Sequence, residues 1–242
     1  MAEPAVVDPR AGADATIGAS LAEEGPMPSV FPPCRSVAGR RRALRTLAMA
    51  ALLPVVRAGG QPALLAPTPS QPEGPFYPRT FPADRDSDLT QIAGRAGRAV
   101  GTPLYFYGQV LARDGRPLAN ATVELWQCDA LGRYHHAGDE GVPRDDNFQG
   151  YGVASTDAQG RYAFKTIRPV PYTGRPPHLH VRVRPDCGRA LTTQVYIAGD
   201  AVAGDSVLSG SSEGVLARLT MTLAPAPGRE PGALTGRFDF VL

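Results

Sequence analysis

From Tyr105 to the C-terminus the chain is built of short segments that alternate apolar and polar residues, with turn signals between them. Tyr105 to Leu111 alternates and is followed by Asp114-Gly115; Ala121 to Gln127 reads as a second strand. Val153 to Ser155 and Arg161 to Thr166 flank Asp157-Ala158-Gln159-Gly160, a hairpin signal. His178 to Val183, Thr192 to Ile197 and Arg237 to Leu242 alternate again, and only Ser212 to Leu219 hints at a helix. A period of two buries one face of each strand, so recurring strands of this kind predict two sheets packed face to face. The fold class expected is therefore all-β, a β-sandwich. The 27 Gly and 25 Pro in 242 residues supply the turns such a fold needs.

Composition limits the function. A formal net charge of +2, with much of the basic weight near the N-terminus, gives no basic face for nucleic acid. The three cysteines, Cys34, Cys128 and Cys187, match no zinc spacing. An exported chain would have Cys128 and Cys187 available to pair, although residues alone do not show that two Cβ atoms are close.

Residues 1–66 read as a leader: Ala-, Pro- and Gly-rich and aperiodic at first, then Arg40-Arg41-Arg42-Ala43-Leu44-Arg45 and an apolar run from Leu47 to Val56. A basic cluster before a short apolar stretch has the layout of an export signal, here over about 38–60 and similar to a twin-arginine signal. The run is too short to cross a membrane. Export is the expectation, with a cytoplasmic location if the leader is not a signal. From Pro67 the character of the chain changes, and residues 67–242 are the expected folded domain.

Two clusters carry the chemistry. In Pro171-Tyr172-Thr173-Gly174-Arg175-Pro176-Pro177-His178-Leu179-His180, the two histidines sit at i and i+2 of a strand and so share a face, where one metal ion can use both. The plain alternative is a polar surface strand. In Gly132-Arg133-Tyr134-His135-His136, a tyrosine precedes the remaining two histidines in a loop, which taken by itself reads as an ordinary solvated loop. A phenol is neutral at pH 7, but a trivalent cation stabilises the phenolate, and phenolate oxygens suit a hard, oxidised ion. Arg175 cannot act as a base; beside a metal it is an electrostatic stabiliser for an anion. Gln194 lies on a following strand and could donate into the same site.

The segments 68–78 (TPSQPEGPFYP), 114–136 (DGRPLANATVELWQCDALGRYHH), 147–172 (NFQGYGVASTDAQGRYAFKTIRPVPY), 175–181 (RPPHLHV) and 192–200 (TTQVYIAGD) together resemble the intradiol ring-cleavage dioxygenases, the family of protocatechuate 3,4-dioxygenase and catechol 1,2-dioxygenase. The resemblance implies a transthyretin-like Greek-key sandwich with long active-site loops. It implies Fe(3+) held by Tyr134, Tyr172, His178 and His180, with Arg175 and Gln194 at the substrate. Tyr172 would be the axial ligand that leaves and takes a substrate proton. The implied reaction opens a catechol-type ring with O2 to a muconate-type dicarboxylate. The expected partners are that small molecule and O2, with a homo-oligomer left open.

Three departures stand out. The chain lacks the long N-terminal helical region of catechol 1,2-dioxygenases, shows no second related chain, and has only Thr173-Gly174 between Tyr172 and Arg175, a segment that helps wall the substrate pocket. The short segment and the apparent signal look more like the exported branch of the family. Two other readings compete: a non-enzymatic transthyretin-like binding module, and a zinc hydrolase using His178 and His180, which would lack a nearby carboxylate base.

Overall fold

The structure is a computed structural model, and it describes residues 63–139, 143–200 and 205–242. The expected leader, with its export signal, lies almost wholly outside the described residues. Strands β1 (Pro103–Leu111), β2 (Thr122–Trp126), β3 (Tyr151–Ser155), β4 (Arg161–Ile167), β5 (His178–Arg184) and β6 (Leu191–Ile197) are followed by a one-turn helix, α1 (Glu213–Ala217). Short strands β7 (Thr220–Met221), β8 (Leu223–Pro225), β9 (Leu234–Arg237) and β10 (Phe240–Val241) complete the chain. The helix begins where the Ser212 side chain accepts a hydrogen bond from Val215 N–H.

Two sheets form. One joins β1 to β4, β9 and β10, with β8 beyond β9; the other runs β3-β2-β5-β6-β7. Their inner faces make the core: Leu104, Phe106, Val110 and Phe164 from the first meet Val123, Leu125, Leu179, Val181 and Val195 from the second, all at most 2% exposed. Full burial of such a side chain contributes about 1.5–3 kcal/mol, so the alternation read from the sequence is what selects the sandwich.

The expected strand from Arg237 to Leu242 is broken at Phe238-Asp239, which separates β9 from β10. Asp239 places Oδ1 where a backbone acceptor would stand, taking Gln109 N–H at 2.9 Å. At the same crossing Gly108 lets the Phe238 carbonyl come so close that a Cβ there would lie 1.7 Å from it.

The outer face of the second sheet is also covered. In β5 both faces are buried: Leu179, Val181 and Val183 point into the sandwich, while His178 and His180 are each 1% exposed on the other side. An N-terminal arm provides part of the cover. Thr68 N–H donates to Val241 O, Gln71 N–H to Thr192 O, and Gln194 Nε2 to Pro72 O. These bonds tie the arm to both sheets and lay Gly74, Phe76 and Tyr77 over the histidine face. Cys128 is a free, buried thiol, so it does not pair with Cys187; burial pushes it up to about 12.

Candidate metal centre

The register of the second sheet organises the site. His180 lies between Trp126 on β2 and Gln194 on β6, and His178 lies opposite Tyr196. Directly opposed residues share a face, so these side chains form one outward-facing group beneath the loops. The His178 and His180 Nε2 atoms are 3.1 Å apart. His178 Nδ1 lies 2.7 Å from Pro176 O; a carbonyl only accepts, so the proton belongs on Nδ1 and the lone pair on Nε2. The Trp126 ring stacks on His180, with centroids 5.0 Å apart and planes 12° off parallel. Gly74, at φ +77, is the close approach on the other side: a Cβ there would sit 3.2 Å from His180 Cε1.

Tyr172 and Arg175 flank a two-residue turn. They exchange backbone hydrogen bonds, Arg175 N to Tyr172 O at 2.7 Å and Tyr172 N to Arg175 O at 3.2 Å. Both central residues are left-handed, Thr173 at φ 40 and Gly174 at φ 75. That is the backbone of a type I′ hairpin turn, which sets the flanking pair side by side. The brevity of this segment thus has a direct consequence: Tyr172 and Arg175 share one side of a rigid turn, next to His178.

Tyr134 arrives from the loop after β2, which two carboxylates pin. Asp129 accepts from Leu131 N–H, Arg133 N–H and Asp145 N–H. Asp139 accepts from Tyr134 N–H and pairs with Arg133 at 2.8 Å. Tyr134 and Tyr172 then meet with ring centroids 5.0 Å apart, Tyr134 and His180 at 5.9 Å, and Tyr172 and His178 at 5.5 Å. Phe76 stacks on Tyr134 at 4.5 Å. The structure therefore brings Tyr134, Tyr172, His178 and His180 together from three separate segments.

His135 and His136 diverge: the His135 ring meets Phe148 and the His136 ring meets Phe76, and Nε2 of each is buried without a hydrogen-bond partner. His135 Nε2 lies 3.8 Å from Asp129 Oδ2, and His136 Nδ1 accepts from Gly138 N–H.

The electrostatics suit a cation. Burial, reinforced by Arg175, pushes His178 down to about 4 and His180 lower than an ordinary imidazole, so both present neutral nitrogens. Burial, with Tyr172 beside it, holds Tyr134 well above the usual phenol range; burial also raises Tyr172, although Tyr134 and Arg175 oppose that. Without a cation, both phenols keep their protons. The Tyr134 hydroxyl and His180 Nδ1 are buried without a hydrogen-bond partner. An orphaned phenol at the meeting point of two neutral imidazoles is a donor set that fits a hard metal ion. No group of three or more His, Cys, Asp or Glu suited to a metal occurs among the described residues. A centre here would depend on its tyrosines.

Arg175 and Gln194 lie beside this cluster. Arg175 donates from Nη2 to Gln194 Oε1 at 2.7 Å and to Tyr196 Oη at 3.0 Å, and from Nε to Asp205 Oδ2 at 2.9 Å. Gln194 Oε1 accepts from Arg175 and Tyr196, and one of its two Nε2 hydrogens goes to Pro72 O. Gly74, Phe76, Trp126, Tyr196 and Asp205 were not singled out in the sequence; only the close glycine in EGPF carried a visible local signal. A cleft of about 680 Å³, walled by Phe76, Phe81 and Tyr151, reaches Tyr134, His135 and Trp126 but not His178 or His180, so it adjoins the donor cluster.

A family model described as Dioxygenase matches residues 72–242. The chain is 39% identical over 167 residues to the protocatechuate 3,4-dioxygenase beta chain of Burkholderia cepacia, covering 65% of this chain and 71% of that one. It is 32% identical to catechol 1,2-dioxygenase 1 of Acinetobacter lwoffii, covering 63% of this chain but only 53% of that protein. Among solved structures, the dioxygenase domain of a dioxygenase–carbohydrate-binding protein fusion from Streptomyces sp. SirexAA-E superposes with a TM-score of 0.55 at 29% identity, covering 73% of this chain and 98% of the domain. 3-Chlorocatechol 1,2-dioxygenase from Rhodococcus opacus 1CP gives 0.57 at 25% identity, covering 72% and 71%. The chain belongs to the intradiol ring-cleavage dioxygenase family of oxidoreductases.

Proposed function

We propose that the chain cleaves a catechol-type ring between its two hydroxyl-bearing carbons, with both atoms of O2 entering a muconate-type dicarboxylate. Iron(III) would be held by Tyr134, Tyr172, His178 and His180. The observation that carries this reading is the convergence of two tyrosines on two neutral, buried histidines whose Nε2 atoms are 3.1 Å apart. The relatives named for protocatechuate and catechol dioxygenation agree in substrate class. A binding module without chemistry has no need of a buried phenol that lacks a partner.

Iron(III) would supply Lewis acidity there, favouring phenolates over phenols and drawing electron density from a bound catechol. The remaining work belongs to the chain. His178 and His180 present lone pairs, His178 being oriented by Pro176 O. Tyr172, partly buried on its two-residue turn, would be one of the two phenolate donors, and the family resemblance implies that its Oη would accept a substrate proton. Arg175 keeps its charge at every working pH and sets it beside the cluster. Trp126 and Phe76 cover the donors from water. Export remains part of this proposal through the leader alone; no helix among the described residues is long and apolar enough to cross a membrane.

The test is iron content and colour of the purified protein together with O2 uptake on catechol, protocatechuate and a chlorocatechol. We expect stoichiometric iron, a red-to-brown tyrosinate charge-transfer band, and ring opening of at least one of them. A colourless protein that stays inactive after iron loading overturns the proposal.

A further inference from the structure

Arg175 is held at more points than its short turn requires. Gln194 and Tyr196 are explained by register, since they stand opposite the two histidines. Asp205 is not explained that way. It comes from the segment beyond β6, and its side chain is 0% exposed. Its Oδ2 takes Arg175 Nε at 2.9 Å, while its Oδ1 takes Val207 N–H at 2.7 Å. A carboxylate withdrawn from water in this way is costly unless it is paired, and even a good buried pair adds little net stability over apolar packing. Its effect is better sought in direction: the two oxygens are anchored at different points, so the carboxylate cannot turn without losing one of them.

Tyr172 lies across the two-residue turn, and Arg175 already acts on it electrostatically. An Arg175 free to turn would not hold its charge in one direction. With Nε on Asp205 and Nη2 on Gln194 and Tyr196, Nη1 has no hydrogen bond among the described residues.

We infer that Asp205 is a positioning residue: it fixes the Arg175 guanidinium so that its uncommitted face acts on a ring bound at the Tyr134–Tyr172–His178–His180 cluster. This rests on the function proposed above.

The experiment is a double-mutant cycle on the full chain, with turnover per bound iron measured for wild type, Asp205→Asn, Arg175→Ala and the double variant. Arg175→Ala should lose about a hundredfold in kcat. Asp205→Asn should lose about tenfold to a hundredfold, with KM changed far less, since misplacing a group costs in the chemical step. The double variant should match Arg175→Ala to within about twofold, because Asp205 acts only through Arg175. Asp205→Glu should recover part of the loss. In metal-free protein, the Arg175 Nε–H should give a protected NMR signal that Asp205→Asn removes. Asp200→Asn, which breaks the ion pair with Arg168, is the control and should leave turnover unchanged.

Additive losses, or a wild-type kcat in Asp205→Asn, overturn the inference; so does an Arg175 signal that survives in that variant. If Asp205→Asn does not fold, the cycle is run with Asp205→Glu under the same criteria. Failure of the underlying reading looks different: wild type itself then binds no iron and opens no ring.

Discussion

His178 and His180 owe their common direction to the period of a strand, and their chemical state to burial. At 1% exposure each, they are neutral imidazoles rather than surface cations. His135 and His136 are neighbours in sequence, and their rings turn apart, one to Phe148 and the other to Phe76. Replacing either member of the first pair with alanine should therefore abolish iron retention. Replacing His135 or His136 should leave at least half of it. Metal analysis after gel filtration decides the matter, and iron lost only from the His135 or His136 variants would show the wrong pair had been chosen. The same scale explains why Tyr134 and Tyr172 read poorly one at a time. Each is an ordinary phenol until burial removes water and leaves the Tyr134 hydroxyl without a partner.

At the scale of elements, the site depends on how strands are held in register. Gly108 in β1 allows the Phe238 carbonyl to pass, and Tyr162 Oη donates to that same carbonyl at 2.7 Å. Gly108→Ala must push β1 away from the β9–β10 break. We expect it to cost about 3 kcal/mol, the upper end for overpacking, read as a lower urea midpoint; an unchanged midpoint would show that the edge yields freely. The outer face of the first sheet offers a pH test. Glu230 is held down to about 2 by Lys165 at 2.8 Å and the Tyr105 hydroxyl at 2.7 Å. A carboxylate lowered in the folded state contributes stability above its unfolded value, and that contribution fades as pH falls from about 4.5 toward 2. Because the group is partly exposed, the effect should be small and sensitive to salt. Glu230→Gln should thus unfold earlier than wild type at pH 6, with the gap closing by about pH 2.5. A gap that persists there would assign the loss to packing instead.

For the whole molecule, the arm is where the described structure begins to matter. Thr68 bonds to Val241 in both directions and Gln71 to Thr192, so the arm joins the two sheets before reaching the histidines. Among the described residues every strand lies beyond residue 66, as does every motif read from the sequence. A chain starting at Ala63 should accordingly fold and bind iron as the full chain does, whereas one starting at Gly74 should lose iron, having lost the bonds at Thr68, Gln71 and Pro72. Circular dichroism and metal content of the two truncations test this, and an iron-binding Gly74 start would deny the arm its role. The alternation from Tyr105 onward was enough to determine two sheets, because period-two burial admits few other solutions; the H-x-H spacing likewise determined a shared face without any tertiary information. The ordered motifs placed Tyr134, Tyr172, Arg175 and Gln194 near one another only by resemblance. The break at Phe238-Asp239 escaped the pattern because it comes from a side-chain oxygen replacing a backbone acceptor, which leaves no mark on hydrophobic periodicity. Asp205, Tyr196 and Trp126 escaped it for a related reason: a carboxylate, a phenol and an indole look alike in a surface strand or a buried site. Only the tertiary structure, by pairing β5 with β2 and β6 and closing the arm over them, decides which water is removed and therefore which of these groups must find partners.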